Sequence, residues 1–211
     1  MANISNHIYF SKNQLFVNGE LKHAFEKNLT FVQVFKTIYK DLNVDYPKYF
    51  KMDSLSKLGF LSAEVLLQNR LLTNEYKAER IGVMVNNTSS TILMDIKHQE
   101  TLSDRNAYFP SPANFVYTLP NIMCGEICIR NNFKGENAVF ISKDFDAAFL
   151  YDYTANLFAN NKIDACIFGY INIDEDKFES FLMLIENRKG TNFEINKINE
   201  IYKNYKNTIH G

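Results

Sequence analysis

The sequence predicts a single α/β domain over its 211 residues. Two short apolar runs carry this prediction, IGVMV at 81–85 and DACIFGYINI at 164–173. Both resemble strands that are buried on both faces. Between and beyond them, apolar residues recur at three- and four-residue steps, which is the spacing of helices. Alternating strands and helices favour right-handed crossovers and a mostly parallel sheet that helices cover on both faces.

Composition narrows the function classes. Hydrophobic residues make up 46% of the chain, which is ample for a core and excludes wholesale disorder. A formal net charge of −1 argues against a broad nucleic-acid footprint. No apolar run approaches the ~18 residues of a membrane span, and the N-terminus lacks a secretory signal pattern. We therefore expect a soluble cytoplasmic protein with no nucleic-acid partner and no membrane span.

The elements before the first buried run begin with a hairpin. Residues 8–17 read as two short strands around a polar turn, and Asn18-Gly19 marks the next turn. Thr30 can cap a helix that carries Phe31, Val34, Phe35 and Ile38 on one face. Farther along, Leu55, Leu58, Leu61, Val65 and Leu66 trace a largely buried helical stripe.

The later elements continue the alternation. Asn86–Ser90 are turn and cap residues that follow the first buried run. The predicted elements after them are a helix to about Glu100, a helix from near Pro120, a strand near 137–142, a helix near 145–160 and an amphipathic helix from about Glu194. Residues 178–187 fit either a helix or a strand. We predict a strand, because alternate residues would face opposite sides of a sheet.

Cysteine and histidine offer no recognisable metal or nucleophile motif. Cys124 and Cys128 lie four residues apart and Cys166 stands alone, so we expect all three to be core thiols. The four histidines are scattered, and no HxH, HExxH or CxxC pattern is present. We expect neither a metal site nor a cofactor.

Several stretches, in order, resemble the N-terminal half of a β-ketoacyl synthase, a thiolase-like condensing enzyme. They are FKMDSLSKL at 50–58, IGVMV at 81–85, SPANFVYTLPNIMCGEICIR at 111–130, FKGEN at 133–137 and DACIFGY at 164–170. The resemblance covers about residues 47–188. It implies a thiolase-like half-fold with a five-stranded, mixed but mostly parallel sheet, in which 178–187 is an antiparallel edge strand. It also implies that Gly125 lets a neighbouring backbone approach closely.

The resemblance also locates the family's nucleophile position. Condensing enzymes carry a reactive cysteine on the turn after the strand that here ends near Ile141. Asp144 occupies that position, between Lys143 and Asp146. A carboxylate is a poor acyl acceptor beside a thiolate. Asp144 and Asp146 are also suited to cap the helix that follows. We therefore predict no catalytic residue of the family type.

Three functions remain open. The family's catalytic histidines come from a second half for which these residues show no matching motif, so we expect a non-condensing accessory or chain-length-type partner in fatty-acid, polyketide or aryl-polyene biosynthesis. The alternatives are an acyl-thioester enzyme with a relocated site at Lys143 and Asp144, and a non-catalytic module that binds an acyl ligand. Whether the chain is an enzyme at all stays open at this point.

The resemblance implies an interface as well. The family dimerises through the strand before the nucleophile turn, which here contains Ala138, Val139, Phe140 and Ile141. We expect a homodimer, or a heterodimer with a full-length ketosynthase, and an acyl carrier protein is a further possible partner. The helix after this strand should expose an apolar face that includes Ala147, Ala148, Tyr151 and Leu157, with Phe145 nearby.

Overall fold

The computed structural model describes residues 2–68, 70–103, 109–175 and 177–210. The strands are β1 Asn3–Ser11, β2 Gln14–Val17, β3 Glu20–Ala24, β4 Ile81–Asn87, β5 Asn137–Ile141, β6 Ala165–Asp174, β7 Lys177–Glu186 and β8 Thr191–Asn192. The helices are α1 Phe31–Asp41, α2 Ser54–Leu67, α3 Ile92–Glu100, α4 Pro112–Val116, α5 Ile122–Asn131, α6 Ala147–Ala159 and α7 Ile195–His210. Short 3-10 helices lie at Pro47–Lys51, Leu72–Asn74 and Ala78–Arg80.

Within the described residues the strands form one mixed sheet of eight strands, in the order β3-β2-β1-β7-β6-β4-β5, with β8 beside β1. Only the β4–β5 and β4–β6 pairings are parallel. The prediction of five strands in a mostly parallel sheet is therefore wrong. The reason is β1, which pairs with β7 in antiparallel fashion and adds β2, β3 and β8 to the sheet. As a result β7 lies inside the sheet, and its predicted place at an edge is also wrong.

Helices cover both faces of the sheet, as predicted. On one face α1, α2 and α5 pack over alternate residues of β7 such as Leu182 and Leu184. On the other face α6 and α7 pack over Phe181 and Met183. The strand assignment for 178–187 is thus confirmed, with the side-chain alternation that the sequence indicates.

Local signals in the sequence explain how the helices begin. The Thr30 side chain accepts a hydrogen bond from the amide of Gln33, and the Gln33 side chain binds back to Thr30. This reciprocal capping box fixes the start of α1. Helix α5 begins at Ile122, with Asn121 before it, so Pro120 lies just outside the helix rather than in its first turn.

The predicted apolar face of α6 is largely covered by the chain itself. Tyr202 of α7 contacts Phe145 at a ring-centroid distance of 5.1 Å, and Phe193 contacts Tyr151 at 5.0 Å. Ala147 is buried, while Ala148 is exposed. The expectation of an open face here is therefore wrong for most of the residues named, because α7 packs against α6.

Candidate functional site at the carboxyl ends of the parallel strands

The three strands that run in parallel, β4, β5 and β6, end on the same side of the sheet. Ligands in open α/β sheets bind outside such carboxyl ends. Strand β4 ends in Asn86 and Asn87, whose side chains are both buried. Buried amides must find hydrogen-bond partners. These two asparagines therefore organise the loops that follow the neighbouring strands.

Asn86 holds the turn after β5. Its Nδ2 donates to the carbonyl oxygen of Phe140 at 2.8 Å and to Oγ of Ser142 at 2.7 Å. Its Oδ1 accepts from the amide of Asp146 at 2.8 Å. The Ser142 hydroxyl in turn lies 2.6 Å from the carbonyl oxygen of Asp144. The turn that carries the predicted site is thus fixed by one buried side chain.

The three residues singled out in this turn have different surroundings. Asp146 caps α6, because its Oδ1 accepts from the amide of Phe149 at 3.0 Å. Lys143 and Asp144 are both exposed. Within the described part of the chain, neither forms a side-chain hydrogen bond or an ion pair. The capping function suggested by the sequence is observed at Asp146, while Asp144 presents an exposed carboxylate.

Asn87 and Asn172 organise the loop after β4. Asn87 Nδ2 donates to the carbonyl oxygen of Ile171 at 2.8 Å. Asn172 Oδ1 accepts from the amide of Ser89 at 2.8 Å. The hydroxyls of Thr88 and Tyr170 share a hydrogen bond of 2.9 Å. Burial raises the pKa of Tyr170, and the carboxylates of Glu179 and Asp144 add to that rise although the Thr88 hydrogen bond opposes it.

Next to this network lies an open polar cavity of about 550 Å³. Tyr9, Tyr170, Asn172 and Glu179 contribute to its lining. The Glu179 carboxylate accepts from the Tyr202 hydroxyl and from Lys206 Nζ, both at 2.8 Å. The walls therefore offer hydrogen-bonding groups, and of their two acidic residues, Asp174 and Glu179, Glu179 is paired with a lysine.

Sequence reasoning missed these cavity residues. Tyr170 and Asn172 carry a weak signal, since they interrupt the apolar run 164–173 near its end. Tyr9 and Glu179 carry no signal in the sequence, because only the pairings of β1 and β6 with β7 bring them close to Tyr170.

The cysteines are placed as core residues. Cys124 and Cys166 are fully buried and Cys128 is half-buried. Burial raises the pKa of Cys128 to about 11 and the pKa of the other two thiols further still. Thiols of this kind are unreactive near neutral pH. None of the three lies in the turn after β5.

The predicted interface residues lie in an edge strand. Strand β5 ends the strand order, and only its β4 side is paired within the described chain. Ile141 is 52% exposed, and Ala138, Val139 and Phe140 are half-buried. In the parallel register, Val83 donates to the carbonyl of Glu136 and Ser142 donates to the carbonyl of Asn87. The amides of Val139 and Ile141 therefore point away from β4.

In residues 2–68, 70–103, 109–175 and 177–210, no three His, Cys, Asp or Glu side chains group closely enough to hold a metal ion. Over the same residues, no helix has both the length and the apolar character needed to cross a membrane.

Comparison with known proteins shows similarity at the level of structure only. Neither a protein-family model nor a curated protein matches the sequence. Among solved structures, the ishigamide ketosynthase/chain length factor matches with a TM-score of 0.62 and 12% identity, over 88% of this chain and 62% of that chain. A type II polyketide synthase acyl carrier protein in complex with its ketosynthase, bound to the hexaketide, matches with a TM-score of 0.58 and 14% identity, over 88% and 62%.

A ketosynthase in complex with its chain length factor from Xenorhabdus doucetiae matches with a TM-score of 0.51 and 11% identity, over 90% of this chain and 80% of that chain. The chain thus spans 62% of the length of each of the first two matched chains. The predicted thiolase-like α/β fold is confirmed by these similarities.

Proposed function

We propose that this chain is a non-condensing, ketosynthase-like subunit that pairs with a ketosynthase in the manner of a chain length factor. The pathway would be polyketide, aryl-polyene or fatty-acid biosynthesis. One observation carries the proposal. In a ketosynthase-type fold, the turn after the edge strand β5 is held by Asn86 and contains an exposed Asp144 and no cysteine, and this is the turn in which the family resemblance places the nucleophile.

The surroundings of Asp144 and of the described cysteines support a non-condensing function. Condensation starts with attack by an activated thiolate, and activation needs a neighbouring base or a lowered pKa. Asp144 is an exposed carboxylate without a hydrogen-bonded base among the described residues. The thiols of Cys124 and Cys166 are sequestered in the core with raised pKa values.

The open side of β5 supports pairing with a partner. Val139 and Ile141 direct their amides outward, and the strand sequence AVFI favours β structure. Further exposed apolar side chains lie beyond the carboxyl end of β4, whose Asn87 is in register with Ile141. They are Ile92, Ile96, Phe115, Val116 and Leu119. Exposed apolar surface of this kind marks interaction sites.

Co-expression with a full-length type II ketosynthase tests the proposal. We expect a stable 1:1 complex by size-exclusion chromatography, and a weaker one with Ile141→Pro. Proline at this position removes one outward amide and leaves the β4–β5 hydrogen bonds in place. The matched change, Phe140→Pro, removes an amide that binds β4 and should instead destabilise the subunit. A folded chain that binds neither the ketosynthase nor an acyl carrier protein would contradict the proposal.

A second assay addresses catalysis. The proposal expects no hydrolysis of acyl-carrier-protein thioesters above background, and the same result for Asp144→Asn. Turnover that disappears in Asp144→Asn would instead support the alternative of a relocated site at Lys143 and Asp144. The cytoplasmic location expected from the sequence stays a prediction.

A further inference from the structure

An aromatic cavity lies on the helical face opposite α6 and α7, between α1, the 3-10 helix Pro47–Lys51 and the start of α2. Its volume is about 310 Å³, and its lining is mostly apolar. Small-molecule sites begin at about 300 Å³ and combine apolar walls with a few polar groups. This cavity is therefore large enough for a small ligand.

Aromatic rings build its walls. Tyr39 and Tyr49 stack with their centroids 4.3 Å apart, and the Phe50 ring meets both edge-on at 5.2 and 5.5 Å. Phe50 is nevertheless 67% exposed, and Val32 beside the same cavity is exposed as well. An apolar ligand seated here would remove these two side chains from water, which is favourable.

Positive charge lines the same cavity. Lys36 and Lys57 belong to its lining, and neither forms an ion pair with any residue that the structure describes. The Lys57 ammonium lies 5.8 Å from the centroid of the Tyr49 ring, against the aromatic wall. The two ammonium groups suit a ligand that carries an anionic acceptor.

Neighbouring charges leave this end of the cavity positive. Asp53 is the acidic group that acts on Lys57, but its carboxylate already accepts from the amides of Leu55 and Ser56. Burial lowers the pKa of Lys57, and the positive charge of Lys97 lowers it further, whereas the carboxylate of Asp53 raises it. A bound carboxylate would stabilise the charged form of Lys57.

We propose that this cavity binds an aliphatic monocarboxylate, with the chain on the aromatic walls and the carboxylate between Lys36 and Lys57. The site is separate from β5 and from the turn at Asp144, so it does not depend on the proposed function.

Calorimetric titration with octanoate tests the proposal. We expect saturable binding with a Kd of about 1 mM or lower. Removing both cations in the double variant Lys36→Gln and Lys57→Gln should raise the Kd about tenfold, since charged hydrogen bonds are the strong ones. Phe50→Ala, at an exposed ring, should also weaken binding. Lys203→Gln is the matched control, because this exposed lysine lies on α7 across the sheet.

Control ligands separate the contribution of the carboxylate charge to binding from that of the apolar chain. Octylammonium and 1-octanol carry the same chain and should bind at least tenfold more weakly than octanoate. Acetate should not bind measurably. Amide chemical-shift changes in the wild type should concentrate near Val32 and Ser54, which lets the site be tested even if a variant misfolds. No saturable octanoate binding, equal binding of octylammonium, or an unchanged Kd in the folded double variant would overturn the proposal.

Discussion

Strands β5 and β3 lie at opposite ends of the strand order, and their sequences treat an open edge in opposite ways. β3 reads ELKHA, and its Glu20 and Lys22 form an exposed ion pair at 2.8 Å. The pairing of β3 with β2 is also irregular, with a register shift at Leu15 and Phe16. Charges and bulges are the means by which proteins protect free edges from pairing.

β5 carries none of these protections along its described length. It reads NAVFI and pairs with β4 in unbroken register. An unprotected apolar edge either aggregates or meets a partner. The contrast teaches that one edge of this sheet carries charges and a register shift that disfavour further pairing, while the other carries neither along its described length.

The largest effect on stability is expected from a substitution in the strands that lie between the two edges. Gly169 of β6 has a φ of +149°, and a Cβ there would lie 2.0 Å from the carbonyl oxygen of Phe181 in β7. Gly169→Ala should therefore cost about 3 kcal/mol or more in free energy of unfolding, and both edges should be lost together. Urea unfolding followed by circular dichroism measures this.

Gly125→Ala is the matched control for Gly169→Ala. Among the residues that the structure describes, a Cβ at Gly125 would meet nothing within 4 Å, so the close approach that the family resemblance implies is absent from that part of the chain. Alanine inside α5 should leave stability unchanged or raise it by about 0.5–1 kcal/mol. If both variants unfold at the wild-type urea midpoint, β6 and β7 do not approach each other at Gly169 as closely as the structure has them.

The next effect concerns a buried charge, in contrast to the exposed charges of β3. Glu186 at the end of β7 is fully buried and accepts from Arg70 at 2.7 and 2.8 Å and from Tyr76 at 2.8 Å. Arg70→Met leaves this buried carboxylate without its cationic partner and should cost about 3–5 kcal/mol at pH 7.

The pH dependence of that cost gives a second readout. Burial alone would raise the pKa of Glu186, but hydrogen bonds from Arg70, Ser5 and Tyr76 lower it. In the wild type this stabilisation is present above the unfolded pKa of about 4.3 and is lost as pH falls through the lower folded value. In Arg70→Met the carboxyl protonates readily, so the deficit should shrink towards pH 4. A deficit that is constant from pH 7 to pH 4 would contradict this.

Much of the secondary structure could be predicted from the sequence, because periodicity and capping are local. Thr30 and Gln33 lie in one short window, and the alternation in 178–187 needs no tertiary information. Sheet order could not be predicted in this way. The pairing of His7 with Met183 joins residues that are far apart in the sequence, and His7 lies before the stretch that the family resemblance covers.

In the candidate site, too, features that depend on local sequence could be predicted, and features that depend on long-range contacts could not. Asp146 as a cap follows from its position just before an apolar helix. The function of Asn86 in holding the turn after β5 could not be predicted from the sequence. It is one of five consecutive turn residues, and its hydrogen-bond partners lie more than 50 residues away. The cover of α6 by α7 was missed because it depends on ring contacts such as Phe145 with Tyr202.

A smaller effect on stability, but a decisive one for association, is expected from charging the apolar edge. Ile141→Lys places on β5 the kind of charge that β3 already has. Ile141 is 52% exposed, so the free energy of unfolding should change by no more than about 0.5 kcal/mol. Association should weaken at least tenfold, as measured by sedimentation velocity at micromolar concentrations with and without a ketosynthase.

Leu21→Lys is the matched control for Ile141→Lys, because Leu21 is 50% exposed on β3. We expect this variant to associate like the wild type. Val139→Lys is less suitable, since Val139 also packs against the chain's own core. If Leu21→Lys impairs association as much as Ile141→Lys, the two edges do not differ in the way their sequences suggest.

The smallest effect is expected at the β3 ion pair itself. The hydrogen bond from Lys22 lowers the pKa of Glu20, yet both side chains are well exposed to solvent. Exposed pairs of this kind contribute little to stability and are screened by salt. Glu20→Gln should therefore leave the urea midpoint unchanged at both low and high salt, because the charges of β3 act against foreign strands rather than for the fold. A clear loss of stability at low salt that high salt abolishes would show that the pair holds β3 in place, and the difference between the edges would then need another cause.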